Sequence, residues 1–249
     1  MTNSMQVVSY GAGTDSTAMI LEMLRRGERI DYITFADTGG ERFYTYGYIL
    51  MFNAYLIRNH GVGITLLKKD SMYSSLEDNC LKKNMLPSIA YGFKSCSEKY
   101  KIQPQDKFFN NLPAAREVWS RGEKIIKCIG YDMDEERRAK IKSTDKYDYR
   151  YPLIEWQIER ERCLEIIQEH GLPLPGKSSC FFCPSSRKVE ILELRDKYPV
   201  LMMRALAMEA NAETTTVKGL GRRFAWRDFL AGQVDDSGAP EQACGCVDG

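Results

Sequence analysis

The chain has 249 residues, of which 43% are hydrophobic and 28% are charged, and its formal net charge is +1. This composition is typical of a soluble globular protein with one large domain, or a domain with a small appendage. The near-neutral charge excludes a protein whose overall field draws it to nucleic acid or membrane. Because no apolar run has the length of a membrane helix and the N-terminus lacks signal-peptide features, we expect no membrane partner and a cytoplasmic location.

Short β-rich segments alternate with helical patterns along most of the chain. The predicted strands cover residues 5–10, 30–36, 63–67, 124–129 and 149–154. The predicted helices begin with an apolar-periodic segment that stops at Gly27, and continue over residues 43–60, 72–84, 96–112, 134–141, 157–170, 188–198 and 200–211. This alternation predicts right-handed βαβ units and a parallel sheet, with a nucleotide at the carboxyl ends of the strands.

A helix stop at Gly171, followed by Pro173 and Pro175, predicts a domain boundary. We therefore expect a nucleotide-binding α/β domain over residues 1–171. A smaller helical extension is predicted over residues 172–249, with a cysteine-bearing loop and a tail that contains Cys244 and Cys246.

A Gly-rich loop follows the first predicted strand, and its sequence over residues 9–17 is SYGAGTDST. Gly11 and Gly13 allow the backbone to approach a phosphate closely and tolerate positive φ. Ser16 and Thr17 are predicted to cap the following helix, whose free N–H groups attract an anion. A Gly-rich turn without a ligand is the alternative for this stretch taken alone.

Two later segments carry charged residues that suit a nucleotide. Asp37 ends the second predicted strand, where an acid contacts a ribose in nucleotide-binding sheets, and a plain strand-end turn is the alternative. Arg138 follows the fourth strand and can clamp an anion with two hydrogen bonds, although taken alone its segment predicts an exposed helix. Lys101 can pair with a phosphate or sulfonate, or lie on a solvated helix face.

Eight cysteines in a cytosolic chain favour metal, cluster or catalytic use over disulfides. Cys180 and Cys183 form a CxxC loop that can hold one metal centre, and Cys96 is a third candidate ligand. A 4Fe–4S cluster is predicted, with Zn²⁺ or free thiols as alternatives. The fourth ligand is left open among Cys80, Cys128, Cys244 and Cys246.

A late segment, KGLGRRFAWR over residues 218–227, combines four cations with two aromatic side chains. This mixture suits stacked bases and a phosphate backbone. A basic surface loop is the alternative.

These segments resemble, in order, those of the PP-loop superfamily, which contains the ATP pyrophosphatases and the phosphoadenosine-phosphosulfate (PAPS) reductases. The loop after the first strand matches S-x-G-x-x-x-D-S-S/T, and DTGGERFYTY matches DTGxExxxTY. Further matches are Cys-x4-Lys-x2-Pro from Cys96 and P-L-x-x-W from Pro152. The segment from Gly130 is similar to G-x-R-x-x-E-S-x-x-R at Gly130 and Glu135, and Arg138 lies one position before the last Arg of that motif. Glu136 replaces its Ser, and Asp132 replaces its first Arg, which indicates a substrate other than PAPS.

The resemblance implies an adenine-nucleotide α-hydrolase-like, Rossmann-like three-layer sandwich with a five-stranded, mainly parallel sheet. It implies ATP or a PAPS-like adenine nucleotide, with Mg²⁺, as ligands. The implied nucleotide contacts are Ser9, Tyr10, Gly11, Ala12, Gly13, Thr14, Asp15, Ser16, Thr17, Asp37, Thr38, Gly39, Gly130, Glu135 and Arg138. The implied catalytic residues are Asp15, Ser16, Lys101 and Arg138, and the implied metal ligands are Cys96, Cys180 and Cys183.

The leading hypothesis is an enzyme that cleaves the nucleotide at its α-phosphate and adenylates an acceptor for cluster-assisted sulfur transfer. The acceptor is a nucleic acid or a small molecule, and a sulfur donor or reductant protein completes the reaction. One alternative is a sulfonucleotide reductase that uses a tail cysteine, and another is a non-catalytic nucleotide sensor. A homodimer is left open.

Overall fold

The computed structural model describes residues 4–70, 72–73 and 75–232. In this part of the chain five strands form one sheet with the order β3-β2-β1-β4-β5, and every neighbouring pair is parallel. The strands are β1 Gln6–Ser9, β2 Tyr32–Asp37, β3 Ile64–Lys68, β4 Ile125–Ile129 and β5 Tyr147–Arg150. The predicted parallel α/β fold is confirmed.

The α-helices connect these strands and continue into the C-terminal part. The first six are α1 Thr14–Arg25, α2 Phe43–His60, α3 Leu76–Lys82, α4 Ser95–Ser97, α5 Gln103–Asn111 and α6 Pro113–Ser120. The others are α7 Pro152–Glu155, α8 Arg160–Glu169, α9 Lys188–Lys197, α10 Pro199–Asn211 and α11 Trp226–Leu230. Short 3₁₀ helices cover Ser88–Tyr91 and Met133–Arg138, and a π-helix covers Glu98–Ile102.

Apolar cores lie on both faces of the sheet, which makes the fold a three-layer sandwich. On one face, Val8 and Phe35 pack with buried side chains of α1, α2 and α8. On the other face, Val7 and Ile125 pack against α5 and α6. A further core joins α3 to α9, α10 and the loop that carries Phe181. This last core brings the CxxC loop against the sheet domain.

Several element bounds differ from the sequence predictions. The fifth strand ends at Arg150 rather than at residue 154, because Pro152 fits the first position of a helix and begins α7. The helix predicted over residues 134–141 is a 3₁₀ helix, and α6 and α11 were not predicted. The prediction for α2 matches its observed bounds. No helix in the described part of the chain has the length and apolar character needed to cross a membrane.

Candidate functional site

The Gly-rich loop joins β1 to α1 and presents the first residues of the helix to a cleft. Helix α1 begins at Thr14 with Gly13 as its N-cap, and the cap makes no side-chain hydrogen bond. The hydroxyls of Ser16 and Thr17 lie inside the first turn and donate to the Gly13 carbonyl at 3.3 and 2.8 Å. The predicted caps from these two residues are therefore wrong. Positive φ falls on Ala12, at 57°, rather than on Gly11 or Gly13.

Gly130, at the end of β4, allows this strand to approach the loop. A Cβ at Gly130 would lie 2.6 Å from Ser16 Cα and 2.7 Å from Ser16 N. Because both of these are backbone atoms, nothing flexible can move aside. Gly130 therefore contributes to the site through its lack of a side chain.

Some predicted nucleotide contacts face the protein interior instead of the cleft. Ser9 is fully buried, and its hydroxyl donates to Gln105 Oε1 at 2.8 Å. The Tyr10 ring packs on Phe52, and its hydroxyl lies 3.3 Å from Thr17 Oγ1. These side chains hold the loop in shape from behind.

One cleft of about 610 Å³ lies beyond the carboxyl ends of the strands. Of the predicted site residues, its wall contains Gly13, Thr14, Asp15, Thr38, Cys96, Lys101, Glu135, Arg138, Cys180 and Cys183. We call the group Gly13, Thr14, Asp15, Asp132, Glu135, Arg138 and Arg160 the phosphate end. We call the group Thr38, Cys96, Cys180, Phe182 and Cys183 the cysteine end.

Arg160, at the start of α8, is a prominent charge of the phosphate end. Its guanidinium donates to Asp15 Oδ1 at 2.5 Å and to Thr14 Oγ1 at 3.2 Å. Burial raises the pKa of the Asp15 carboxyl to about 7, opposed by Arg160 and reinforced by Asp132 and Glu135. Sequence reasoning missed Arg160 because no recognised motif contains it, and only the folded chain brings α8 beside the loop.

A second group of charges lies on the 3₁₀ helix after β4. Asp132 is buried and accepts a hydrogen bond from the Glu135 N–H at 3.2 Å, and burial raises its pKa with Asp134 adding to the rise. Arg138 pairs with Glu135 at 2.5 Å, and its guanidinium lies 4.3 Å from the centre of the Tyr131 ring. The phosphate end therefore combines two guanidiniums, a group type suited to phosphate, with carboxylates, a group type suited to Mg²⁺.

Lys101 reaches the cleft from the π-helix, a distortion that is frequent at functional sites. The segment is tied to the Gly-rich loop by Gln105, a buried residue of α5. Gln105 Oε1 accepts from Ser9 Oγ at 2.8 Å and from Thr34 Oγ1 at 3.1 Å, and its Nε2 donates to the Lys101 carbonyl at 3.3 Å. One side chain thus joins β1, β2 and the backbone of Lys101. No sequence signal pointed to Gln105.

Asp37 turns away from the cleft, toward α2 and β3. Its carboxylate accepts hydrogen bonds from the Tyr46 hydroxyl at 2.8 Å and from the Gly39 N–H at 2.7 Å, and Lys68 lies 3.3 Å away. The next residue, Thr38, lines the cleft. Gly39 has a φ of 73°, and a Cβ there would lie 2.5 Å from Ser75 Cβ, so the turn requires glycine.

The CxxC loop is attached to this turn. Thr38 Oγ1 lies 3.1 Å from Cys180 Sγ, across 142 positions of sequence, and the Phe181 N–H donates to the Gly40 carbonyl at 2.8 Å. A Cβ at Gly40 would lie 2.7 Å from the Phe182 ring and 3.4 Å from Cys180 Sγ. Two motifs that the sequence keeps far apart therefore form one wall of the cleft.

The thiols of the cysteine end share the cleft without forming a coordination shell. Cys96 and Cys180 are half-buried, and Cys183 is buried. Among residues 4–70, 72–73 and 75–232, no three side chains of the metal-binding types come together to hold an ion. The donor chemistry suits an iron–sulfur cluster or Zn²⁺, whereas the arrangement of these thiols does not yet suit either.

The remaining cysteines of the described chain lie away from the cleft wall. Burial raises the pKa of Cys80 to about 12, with the neighbouring Cys96 adding to the rise, and burial also raises the pKa of Cys128 to about 12. Cys163, a residue of α8, is buried in the core on the α8 face of the sheet. Cys244 and Cys246 lie outside the described residues.

The basic segment over residues 218–227 forms an ordered loop beside α10. The buried Glu209 carboxylate accepts from the N–H groups of Leu220, Trp226 and Arg227 at 2.7, 2.8 and 3.0 Å. None of residues 218–227 lines the cleft described above. A nucleic-acid contact of this loop stays a prediction.

No protein-family model and no curated protein matches the chain. Among solved structures, the chain is similar to the U34-tRNA thiolase NcsA from Methanococcus maripaludis with its 4Fe–4S cluster. The match has 15% sequence identity and a TM-score of 0.48, and it covers 84% of this chain and 73% of the thiolase chain. At this level of similarity, nothing about the activity of the thiolase transfers to this chain. The observed sandwich, with its Gly-rich loop after β1, is the architecture that the resemblance to the PP-loop superfamily implies.

Proposed function

We propose that this protein binds an adenine nucleotide, cleaves it at the α-phosphate, and thereby activates an acceptor for sulfur transfer. The observation that carries the proposal is that the Gly-rich loop and three cysteines line the same cleft. A nucleotide-binding loop alone serves many reactions. A nucleotide-binding loop that faces thiols is suited to sulfur chemistry on an activated substrate.

The phosphate end would bind the polyphosphate through the N-terminus of α1 and through Arg138 and Arg160. Both guanidiniums are now paired with carboxylates, Arg138 with Glu135 and Arg160 with Asp15. Phosphate oxygens would replace the carboxylates as hydrogen-bond acceptors of these two guanidiniums. The released carboxylates are the ligand type that Mg²⁺ prefers, so the nucleotide would enter with Mg²⁺. Bound Mg²⁺ would neutralise charge on the phosphates.

The reaction would proceed in two displacements. An oxygen of the acceptor attacks the α-phosphorus, the bond to the β-phosphate oxygen breaks, and pyrophosphate leaves. A hydrosulfide ion supplied by the sulfur donor then attacks the acceptor carbon, and the carbon–oxygen bond breaks. AMP leaves with the original oxygen, and the S–H proton is released to solvent. Lys101 and Arg138 would balance the negative charge that develops in the first step, while Asp15 and Ser16 would position the phosphates.

We propose a metal at the cysteine end, and we assign it no step of the reaction. Cys96, Cys180 and Cys183 supply soft thiolate ligands, which favour an iron–sulfur cluster or Zn²⁺. An iron–sulfur cluster would hold the sulfur to be transferred. Because no three ligands converge among the described residues, no step above is assigned to the metal.

Sulfonucleotide reduction is the main alternative, and the charge of the phosphate end disfavours it. Asp132 stands where the reductase motif has Arg, and its carboxyl lies in the same acidic environment as Asp15. A ligand with an additional phosphate or sulfonate needs cations at this position. The carboxylate of Asp132 instead favours a polyphosphate that carries a bound cation such as Mg²⁺.

Calorimetric titration with Mg²⁺–ATP tests the proposed site. We expect binding to wild type, and a loss of affinity of about 10- to 100-fold in Arg160→Ala, because a charged hydrogen bond contributes about 1.5–3 kcal/mol. Arg162→Ala is the matched control, since Arg162 lies on the same helix but pairs with Glu165 and Glu169 on the surface. Absence of binding to wild type, or equal losses in both variants, would contradict the proposal.

A further inference from the structure

Helix α2 is apolar on its outer face as well as on its inner face. Its inner face packs in the core through Ile49, Phe52 and neighbouring side chains. On the outer face, Phe43, Leu50 and Ile57 are 61%, 66% and 54% exposed. A helix that is hydrophobic all round is normally buried on all sides. The outer face of α2 therefore lacks the partner that its composition indicates.

The outer residues follow the spacing of a helix–helix seam. Phe43, Gly47, Leu50, Ala54 and Ile57 are alternately four and three positions apart, and all five are exposed. This 4-3 spacing keeps side chains on one line of a helix that packs against another helix. We call these five residues the α2 stripe. Large and small side chains alternate along it, which provides both the knobs and the spaces that receive them.

Leu66 extends the α2 stripe sideways onto the edge strand β3, where it is 57% exposed. Asn53 Oδ1 accepts from the Ile64 N–H at 2.7 Å, which fixes α2 against β3 at that level. Leu66 lies two residues after Ile64, on the same face of β3. Because α2 runs antiparallel to the strands, the step from Ile64 to Leu66 leads toward the N-terminal half of α2 and hence toward Leu50. The exposed apolar surface is therefore continuous from α2 to the sheet edge.

The α2 stripe has the same pattern when read from either end. From Leu50 outward, each direction meets a small residue and then a large one, Gly47 and Phe43 on one side and Ala54 and Ile57 on the other. An antiparallel copy of the same helix, related by a two-fold axis at Leu50, would place Ile57 of one chain level with Phe43 of the other. We infer that the α2 stripe and Leu66 form the contact with a second copy of this chain, in an isologous dimer.

The size of the surface fits a dimer that forms reversibly. Its four large side chains, each more than half exposed, present on the order of 400 Å² per copy, about half of the roughly 800 Å² per partner in a standard interface. The surrounding half-buried side chains of α2 and β3 would supply the remainder. An apolar patch of this size lies within the range of about 300–600 Å² for the largest patch of a typical monomer, and such patches are often functional.

This inference goes beyond the proposed function, because no residue of the α2 stripe lines the cleft. Sedimentation velocity over a range of concentrations tests it on the full chain. We expect wild type to shift from monomer to dimer as concentration rises. Leu50→Glu and Leu50→Lys should each remain monomeric, because the substitution sets two like charges against each other at the axis. An equimolar mixture of these two variants should dimerise, because opposite charges then meet there.

Met203→Glu is the matched control, since Met203 is 62% exposed on α10 and lies outside the α2 stripe. This variant should dimerise as wild type does, and circular dichroism should show that all variants are folded. Wild type that stays monomeric at its highest soluble concentration would overturn the inference. So would a Leu50→Glu dimer as strong as wild type, or a mixture of the two variants that remains monomeric.

Discussion

The two ends of the cleft are built in different ways. The phosphate end comes from the carboxyl ends of β1 and β4 and from the start of α8, and its charges are already paired and in place. The cysteine end is assembled from α4, the turn after β2, and the CxxC loop, which are held together by contacts such as that between Thr38 and Cys180. Its thiols line the wall without converging. The phosphate end thus has its guanidiniums and carboxylates in place and paired with each other, whereas the thiols of the cysteine end would have to move closer together to hold one metal.

The largest effect should come from removing one thiol of the cysteine end. Protein purified without oxygen is expected to contain about four irons and four acid-labile sulfides per chain, as thiolate ligation of a 4Fe–4S cluster requires. Cys180→Ala should lose both, while Cys163→Ala, in the core, should retain them per folded chain. Elemental analysis checks the result. Stoichiometric zinc, or metal that survives in Cys180→Ala, would contradict the predicted cluster.

A pair of glycine substitutions should separate the two ends. Gly130→Ala drives a Cβ into the backbone of Ser16, so we expect at least a tenfold loss of nucleotide affinity with unchanged thiol reactivity. Gly40→Ala drives a Cβ into the Phe182 ring, so we expect faster alkylation of Cys180 with little change in nucleotide affinity.

Titration calorimetry and peptide-resolved alkylation measure these two effects. Gly47→Ala is the control, because a Cβ at Gly47 meets nothing within 4 Å. If each variant changed both the nucleotide affinity and the alkylation rate of Cys180, the two ends would not respond separately.

Asp15→Asn should stabilise the protein at neutral and alkaline pH. The folded protein holds the Asp15 proton up to a pKa of about 7, whereas the unfolded carboxyl releases it near 3.8. The contribution of this group to wild-type stability therefore falls as pH rises from about 4 to 7. Asparagine has no such proton to lose. In buffer without magnesium or nucleotide, the variant should gain about 1–3 kcal/mol in the free energy of unfolding at pH 8, and almost nothing near pH 4.

Denaturant unfolding at several pH values measures this difference. Under the proposed function the same variant should lose nucleotide turnover, because a neutral amide would replace the carboxylate that positions the phosphates. A stability gain that is equal at pH 4 and pH 8 would contradict the raised pKa of Asp15.

The smallest effect should follow from Gln105→Leu. The hydroxyls of Ser9 and Thr34 would lose their shared acceptor in a buried environment, at a cost of about 1–2 kcal/mol in stability. Because the Lys101 carbonyl also loses its donor, nucleotide affinity should fall a few-fold. Gln105→Glu keeps an acceptor for both hydroxyls and should recover part of the stability. Equal affinities in wild type and Gln105→Leu would show that the link to Lys101 does not matter for binding.

The sheet and most helices could be predicted because their signals are local. Alternating strand and helix patterns give the parallel sheet, and the helical pattern over residues 43–60 gives the observed bounds of α2. The prediction of β5 extended too far, past Pro152, because the apolar run of the strand continues into α7.

The arrangement of the site was harder to predict from the sequence, because it depends on contacts between distant segments. Arg160 reaches Asp15 only because α8 packs beside α1. Asp37 belongs to a sequence motif, but its carboxylate accepts a hydrogen bond from Tyr46 and lies beside Lys68. The motif does not reveal these contacts. The approach of Cys180 to Thr38 likewise arises only in the folded chain.

The position at which the protein cleaves ATP tests the central proposal most directly. ATP labelled at the α-phosphate would be incubated with Mg²⁺ and anaerobically purified protein, with water as acceptor, and the products separated. We expect labelled AMP together with pyrophosphate, greatly reduced in Arg160→Ala and preserved in Arg162→Ala. Formation of ADP and phosphate, AMP formation that survives in Arg160→Ala, or no conversion of ATP would contradict the account.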